Sequence, residues 1–225
     1  MFPQKLQAWA RKRAEGIAGP LARYGVTPNA VTVLGFVFNV LTAVVLASGH
    51  LSWGGALLFL SGLFDMLDGA LARITSRQST FGAFLDSLLD RYSEAAILLA
   101  LIFVFNRRGD TGPVLLVYAV AIGSVLSSYA RARAEGLGLE CKVGIAPRPE
   151  RVLILGLGLL FNGIGFLFTG STTIAALAIL AFLTHFTALQ RLLHVWRQTH
   201  RPSTESARQP SKAKGKAKAS ETRTL

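Results

Sequence analysis

The sequence predicts an all-α, polytopic membrane protein with six transmembrane helices and an interfacial amphipathic helix at its N-terminus. Three observations predict it. Hydrophobic residues make up 51% of the 225 and charged residues 16%, against about 25% charged in soluble domains, which excludes a disordered chain and speaks against a water-soluble one. Several stretches run about twenty residues with few charges, long enough to cross ~30 Å of hydrocarbon. Basic residues also gather on alternate connections, as they do on the cytoplasmic side of membrane proteins.

The N-terminal segment, 1–24, is too polar for a cleavable signal, because Lys5, Arg11, Lys12, Arg13 and Glu15 interrupt any apolar core. Phe2, Leu6, Trp9, Arg13 and Ile17 recur at helical spacing, the pattern of a helix lying in the membrane interface. The membrane domain, 25–197, divides into spans 30–49, 54–73, 82–105, 113–133, 151–170 and 172–194. Pro28 precedes the first, His50 to Gly55 separate the first two, Arg107 to Pro113 divide the third from the fourth, and Pro147 and Pro149 precede the fifth. Gly163 to Thr173 mark the last division. The connections opposite the basic ones hold only Arg107 and Arg108, so both termini are expected in the cytoplasm.

The formal charge of +12 is concentrated partly in the segment 198–225, where Lys212, Lys214, Lys216, Lys218 and Arg223 lie among Ser, Thr and Ala. Such a composition predicts a disordered tail drawn to anionic lipid headgroups, and no nucleic-acid role. The single cysteine, Cys141, excludes an intrachain disulfide. His185 and His194 are expected to be packing or interfacial residues, and the glycines scattered through the spans permit close helix packing.

Asp65, Asp68, Asp86, Asp90 and Glu94 fall inside the second and third spans, where each charge costs at least ~2.5–3.5 kcal/mol near the bilayer centre. Asp65 and Asp68 are three apart and Asp86 and Asp90 four apart, so each pair shares one helix face. Converging faces would place four carboxylates near the cytoplasmic mouth. Oxygen-only donors favour Mg2+ or Mn2+, with charge enough for two ions. On spacing alone, a charge-compensated network or a cation transport path would suit the cluster as well.

The context narrows these alternatives. Asp65, Asp68, Gly69, Ala72 and Arg73 are followed after eight residues by Gly82, then Asp86 and Asp90. This resembles the signature of the CDP-alcohol phosphatidyltransferases, D-x-x-D-G-x-x-A-R-x8-G-x3-D-x3-D. The run Thr27-Pro28-Asn29-Ala30-Val31-Thr32 and the six-span layout extend the resemblance over roughly 1–195. It implies transfer of a phosphatidyl group from a CDP-linked lipid to an alcohol with release of CMP, at a site facing the cytoplasm of the cell membrane, in a homodimer. It further implies that Asp65, Asp68, Asp86 and Asp90 hold the metal, that Asp90 also acts as general base, and that Asn29, Thr32 and Ser79 hold the cytidine diphosphate. Gly69 would let the nucleotide approach the helix backbone, and Arg73 offers a fork of donors to phosphate.

The acceptor must be read elsewhere. Arg131, Arg133, Arg148, Arg151 and Arg191 are expected at the cytoplasmic mouth, and an arginine cluster suits a phosphate monoester better than a neutral polyol. The arrangement resembles that of the phosphatidylinositol phosphate synthases and implies inositol 1-phosphate as acceptor, although Arg131 stands where that subgroup leads one to expect lysine. Glycerol 3-phosphate is the alternative acceptor within the family, and transport of a cation or solute the alternative outside it. Glu94 continues the Asp86–Asp90 face but lies outside the pattern and has no assigned role.

Overall fold

A computed structural model describes residues 4–76, 78–162 and 171–200. The described residues form seven helices and no strand: α1 (Gln4–Arg23), α2 (Pro28–Ala47), α3 (Leu51–Ile74), α4 (Thr80–Arg107), α5 (Thr111–Gly136), α6 (Arg148–Leu160) and α7 (Ser171–Thr199). Phe2 and the tail from 201 onward lie outside the described residues, as do the side chains of Leu6 and Trp9 and the stretch 163–170.

Local signals account for the boundaries. Thr27 caps α2, its hydroxyl accepting from the Ala30 N–H at 3.2 Å, with Pro28 in the first turn, where a missing N–H is harmless. Ser79 caps α4 in the same way, accepting from the Gly82 N–H at 2.9 Å. Pro147 precedes α6 and Pro149 sits in its first turn.

Helices α2, α3, α5 and α7 are long and apolar enough to cross a membrane. The other two predicted spans differ for separate reasons. Helix α4 has the length, but Asp86, Asp90, Arg91 and Glu94 fill its first half. Its exposed stripe is nonetheless apolar, formed by Phe81, Phe84, Leu88, Tyr92, Leu99 and Phe103, while Ile97, Leu98, Leu101, Val104 and Phe105 pack in the core and the charged groups of its first turns are turned away from the exposed stripe. Helix α6 occupies only the start of the predicted 151–170 span and has 13 residues, or roughly 20 Å at ~1.5 Å per residue, short of the hydrocarbon thickness.

Helix α2 packs on α3 and α4, α3 on α1 and α6, and α5 on α4 and α7, with α6 also against α7. Leu46, Leu101, Val117, Leu159, Leu177 and Leu180 form the fully buried centre. A second cluster joins α1 to the end of α3 through Ala14, Ala18, Ala70 and Leu71. The packed face of α1 is therefore the Ala14–Ala18 face, while Ile17, expected on its apolar face, is exposed.

The α3–α6 contact brings two backbones together. A Cβ on Gly55 would lie 2.5 Å from the Leu160 backbone nitrogen and 2.9 Å from the Gly156 carbonyl oxygen, so only glycine lets the two backbones meet. Since α6 begins at Arg148, this contact helps set Arg148 beside Asp65 of α3.

Candidate active site

Two clefts meet at the acidic face of α4. The first lies where the start of α2, the end of α3 and the start of α4 converge. It is lined by Asn29, Thr32, Asp68, Gly69, Arg73, Ser79, Gly82 and Asp86, with Gln78, and thus gathers all five residues expected to contact the nucleotide together with two of the expected metal ligands. The Thr32 hydroxyl donates to Asp68 Oδ2 at 2.9 Å, orienting a carboxylate that is 8% exposed. A Cβ on Gly82 would sit 2.9 Å from Asn29 Oδ1 and 3.0 Å from Ser79 Oγ. Any side chain there would push the Asn29 amide from its place. Arg73 leans toward α1, with Nε 3.9 Å from Glu15 Oε1.

The second cleft is wider and cationic. Its lining includes Asp90, Arg91, Ser128, Tyr129, Arg131, Arg148, Arg151 and Arg191. Four of the five arginines expected at an acceptor site are therefore brought together. Arg133 does not line the cleft and is exposed. It is two residues from Arg131, and residues so spaced on a helix do not share a face.

The arginines differ in how firmly they are held. Arg191, 7% exposed, donates from Nε to the Val143 carbonyl at 3.0 Å and from Nη1 to the Ser127 carbonyl, tying α7 to α5 and to the loop after it. Arg151, 6% exposed, donates to the Ser124 hydroxyl and lies 3.4 Å from Glu94 Oε1. Glu94 also pairs with Arg91 at 2.8 Å. Arg131 is paired with Glu135 at 2.8 Å on the exposed side of α5.

Glu94 is thus part of the site, although the motif omits it. Its signal was the continuation of Asp86 and Asp90 at a further four residues. Ser124 and Ser127 carried no such signal, since serines within an apolar helix have no distinguishing pattern. His185 and His194 contact the backbone carbonyls of Ala181 and Glu140, as packing residues do.

Between the clefts Arg148 Nη1 lies 2.5 Å from Asp65 Oδ2 and 2.7 Å from Asp90 Oδ1. Among the described residues no three Asp, Glu, His or Cys side chains surround one ion position; a guanidinium takes up two of the carboxylates. The donor set suits a hard divalent cation on two counts. Asp65 and Asp86 each lie within electrostatic range of both Asp68 and Asp90, and the oxygens of the four are the ligands that Mg2+ and Mn2+ prefer. A concentration of negative charge that draws an arginine between its members would draw a divalent ion too.

Residues 25–196 match a family model described as CDP-alcohol phosphatidyltransferase. The chain is 42% identical over 181 residues to an archaetidylinositol phosphate synthase of Methanothermobacter thermautotrophicus, an alignment covering 80% of this chain and 88% of the relative. It is 40% identical over 150 residues to a phosphatidylinositol phosphate synthase of Mycobacteroides abscessus, covering 65% and 68%. Among solved structures, the phosphatidylinositol phosphate synthase of Mycobacterium tuberculosis with CDP-DAG bound superposes with a TM-score of 0.76 at 34% identity, covering 81% of this chain and 93% of the other. The same enzyme in complex with manganese and citrate gives 0.75 at 34%, covering 81% and 88%.

Proposed function

This chain belongs to the CDP-alcohol phosphatidyltransferase family and is an enzyme of that class, and we propose that it transfers a phosphatidyl or archaetidyl group from a CDP-linked lipid to inositol 1-phosphate, releasing CMP. The observation that carries this reading is the division of labour along α4. Asp86 lines the nucleotide cleft, and Asp90, one turn on, lines the arginine-rich cleft. A donor in the first cleft and an acceptor in the second would meet at the face they share.

In the reaction the acceptor hydroxyl oxygen forms a bond to the lipid-bearing phosphorus. The bond from that phosphorus to the CMP oxygen breaks, and the hydroxyl proton passes to Asp90 Oδ1 or Oδ2. Divalent ions held by Asp65, Asp68, Asp86 and Asp90 would neutralise the charge that grows on the pyrophosphate oxygens. Asn29, Thr32, Ser79 and Arg73 orient the nucleotide, with Gly69 leaving its approach open. Arg131, Arg148, Arg151 and Arg191 face the acceptor phosphate, for which planar guanidinium donors are well matched.

The same reading takes all six helices α2 to α7 into the membrane domain, with both termini and the clefts on the cytoplasmic side, α1 on the interface and a homodimer as the assembly. The outward apolar stripe of α4 supports its place in lipid.

The test is CMP release by purified protein with CDP-diacylglycerol or CDP-archaeol and Mg2+ or Mn2+. Inositol 1-phosphate is expected to support turnover, with free inositol and glycerol 3-phosphate inactive. Preference for glycerol 3-phosphate would overturn the acceptor assignment and leave the mechanism standing. In the same assay Gly82→Val is expected to raise the KM for the CDP-lipid about tenfold, the equivalent of displacing one good polar contact. An unchanged donor KM would show that Asn29 does not touch the nucleotide.

A further inference from the structure

We propose that Arg148 is an internal competitor of the divalent ions, holding Asp65 and Asp90 until an acceptor phosphate draws it away. The proposal rests on the metal-binding role given above to these carboxylates, and it concerns what empties the seat between them.

A single nitrogen, Nη1 of Arg148, contacts Asp65 on α3 and Asp90 on α4 at 2.5 and 2.7 Å. A cation bound between the same two carboxylates competes for the oxygens that Arg148 holds, Asp65 Oδ2 and Asp90 Oδ1, and neutralises the same charge, so each occupancy disfavours the other. Arg148 is the first residue of α6, between Pro147 and Pro149, whose rings fix φ on both sides. Exchange therefore falls to its side chain. Its present seat uses only part of the guanidinium: Nε is buried without a hydrogen-bond partner, although the group has five donors.

The cleft alongside offers what that seat lacks. Arg148 lines the wide cleft with Arg131, Arg151 and Arg191, and a phosphate monoester arriving there presents several oxygens to an arginine fork. Arg151 and Arg191 are anchored by Glu94, Ser124 and backbone carbonyls. Arg148 instead spends its donors on the carboxylates that the ions require. Acceptor phosphate and divalent ion then favour each other's binding, and by thermodynamic reciprocity each raises the other's affinity by the same factor. The centre would be fully loaded when the acceptor is present, which disfavours attack by water on a donor waiting alone.

The experiment titrates Mn2+ into purified full-length protein without CDP-lipid and reads free Mn2+ by electron paramagnetic resonance, with protein-free controls for Mn2+ bound by inositol 1-phosphate. Arg148→Met is expected to tighten Mn2+ binding about tenfold, within the usual range of coupling between sites. Arg148→Lys, which keeps the charge but not the fork, should tighten it less, and Arg151→Met hardly at all. Inositol 1-phosphate should tighten Mn2+ binding to the native protein and leave Arg148→Met unaffected. Unchanged or weaker Mn2+ binding in both Arg148 variants overturns the proposal, as does equal tightening by Arg151→Met, which would indicate a general charge effect. Asp65→Asn separates the two levels of argument: if it leaves Mn2+ binding intact, the metal assignment itself is wrong, whereas if it weakens binding and the Arg148 variants do not tighten it, only the competition fails.

Discussion

Asp90→Asn is expected to lower CMP release by about 10²–10⁴-fold, the usual worth of a positioned general base. The substitution keeps the shape of the side chain and one acceptor oxygen while removing the charge and the capacity to take the acceptor's proton. Arg148 would still have Asp65 at 2.5 Å, so the fold should persist, and a melting temperature close to that of the native protein in the same detergent is the accompanying control. Asp86→Asn touches the nucleotide cleft instead, and its loss should appear in the dependence on metal and CDP-lipid. An Asp90→Asn protein retaining more than about a tenth of native turnover would remove Asp90 from the proton-transfer role.

Gly55→Ala is expected to be among the most damaging single methyl additions in the described helices. Its Cβ would meet backbone atoms of α6 at 2.5 and 2.9 Å, and backbone, unlike a side-chain tip, has no alternative rotamer. Overpacking of this kind costs typically ~1–3 kcal/mol, against a gain of up to about 1 kcal/mol from replacing a helical glycine. The melting temperature should fall, and activity should fall further, because displacing α6 from α3 moves Arg148 and Arg151 away from Asp65 and Glu94. Gly62→Ala on the same helix is the comparison, since a Cβ there meets nothing within 4 Å. Equal melting temperatures for the two variants would refute the account of the α3–α6 contact.

The parts of the site that lie on neighbouring turns were legible in the sequence. The spacings Asp65–Asp68 and Asp86–Asp90 assign each pair to one helix face, and Gly69 leaves the helix backbone open to approach. What could not be read is the pairing across long separations. Nothing local to Arg148 indicates that it meets Asp65, 83 residues away, or that Arg151 meets Ser124. Arg133 lies off the cleft because helical phase matters as well as charge: with Arg131 at the cleft, a residue two positions on is turned away. Of the span expected over 151–170, α6 covers the part to Leu160, and 163–170 lie outside the described residues.

The charge balance of α4 bears on how the protein is made. Asp86, Asp90, Arg91 and Glu94 would together cost a lone helix at mid-membrane roughly 10–14 kcal/mol on insertion scales, while the Ile, Leu, Val and Phe residues from Ile97 to Phe105 return only about 2–5 kcal/mol. At that depth a helix with this balance would favour water over lipid on its own. Arg91 and Glu94 pair within the helix, but Asp90 and Glu94 find Arg148 and Arg151 of α6, so on the proposal that α4 lies in the bilayer its carboxylates are fully matched only after a helix made later in the chain has docked.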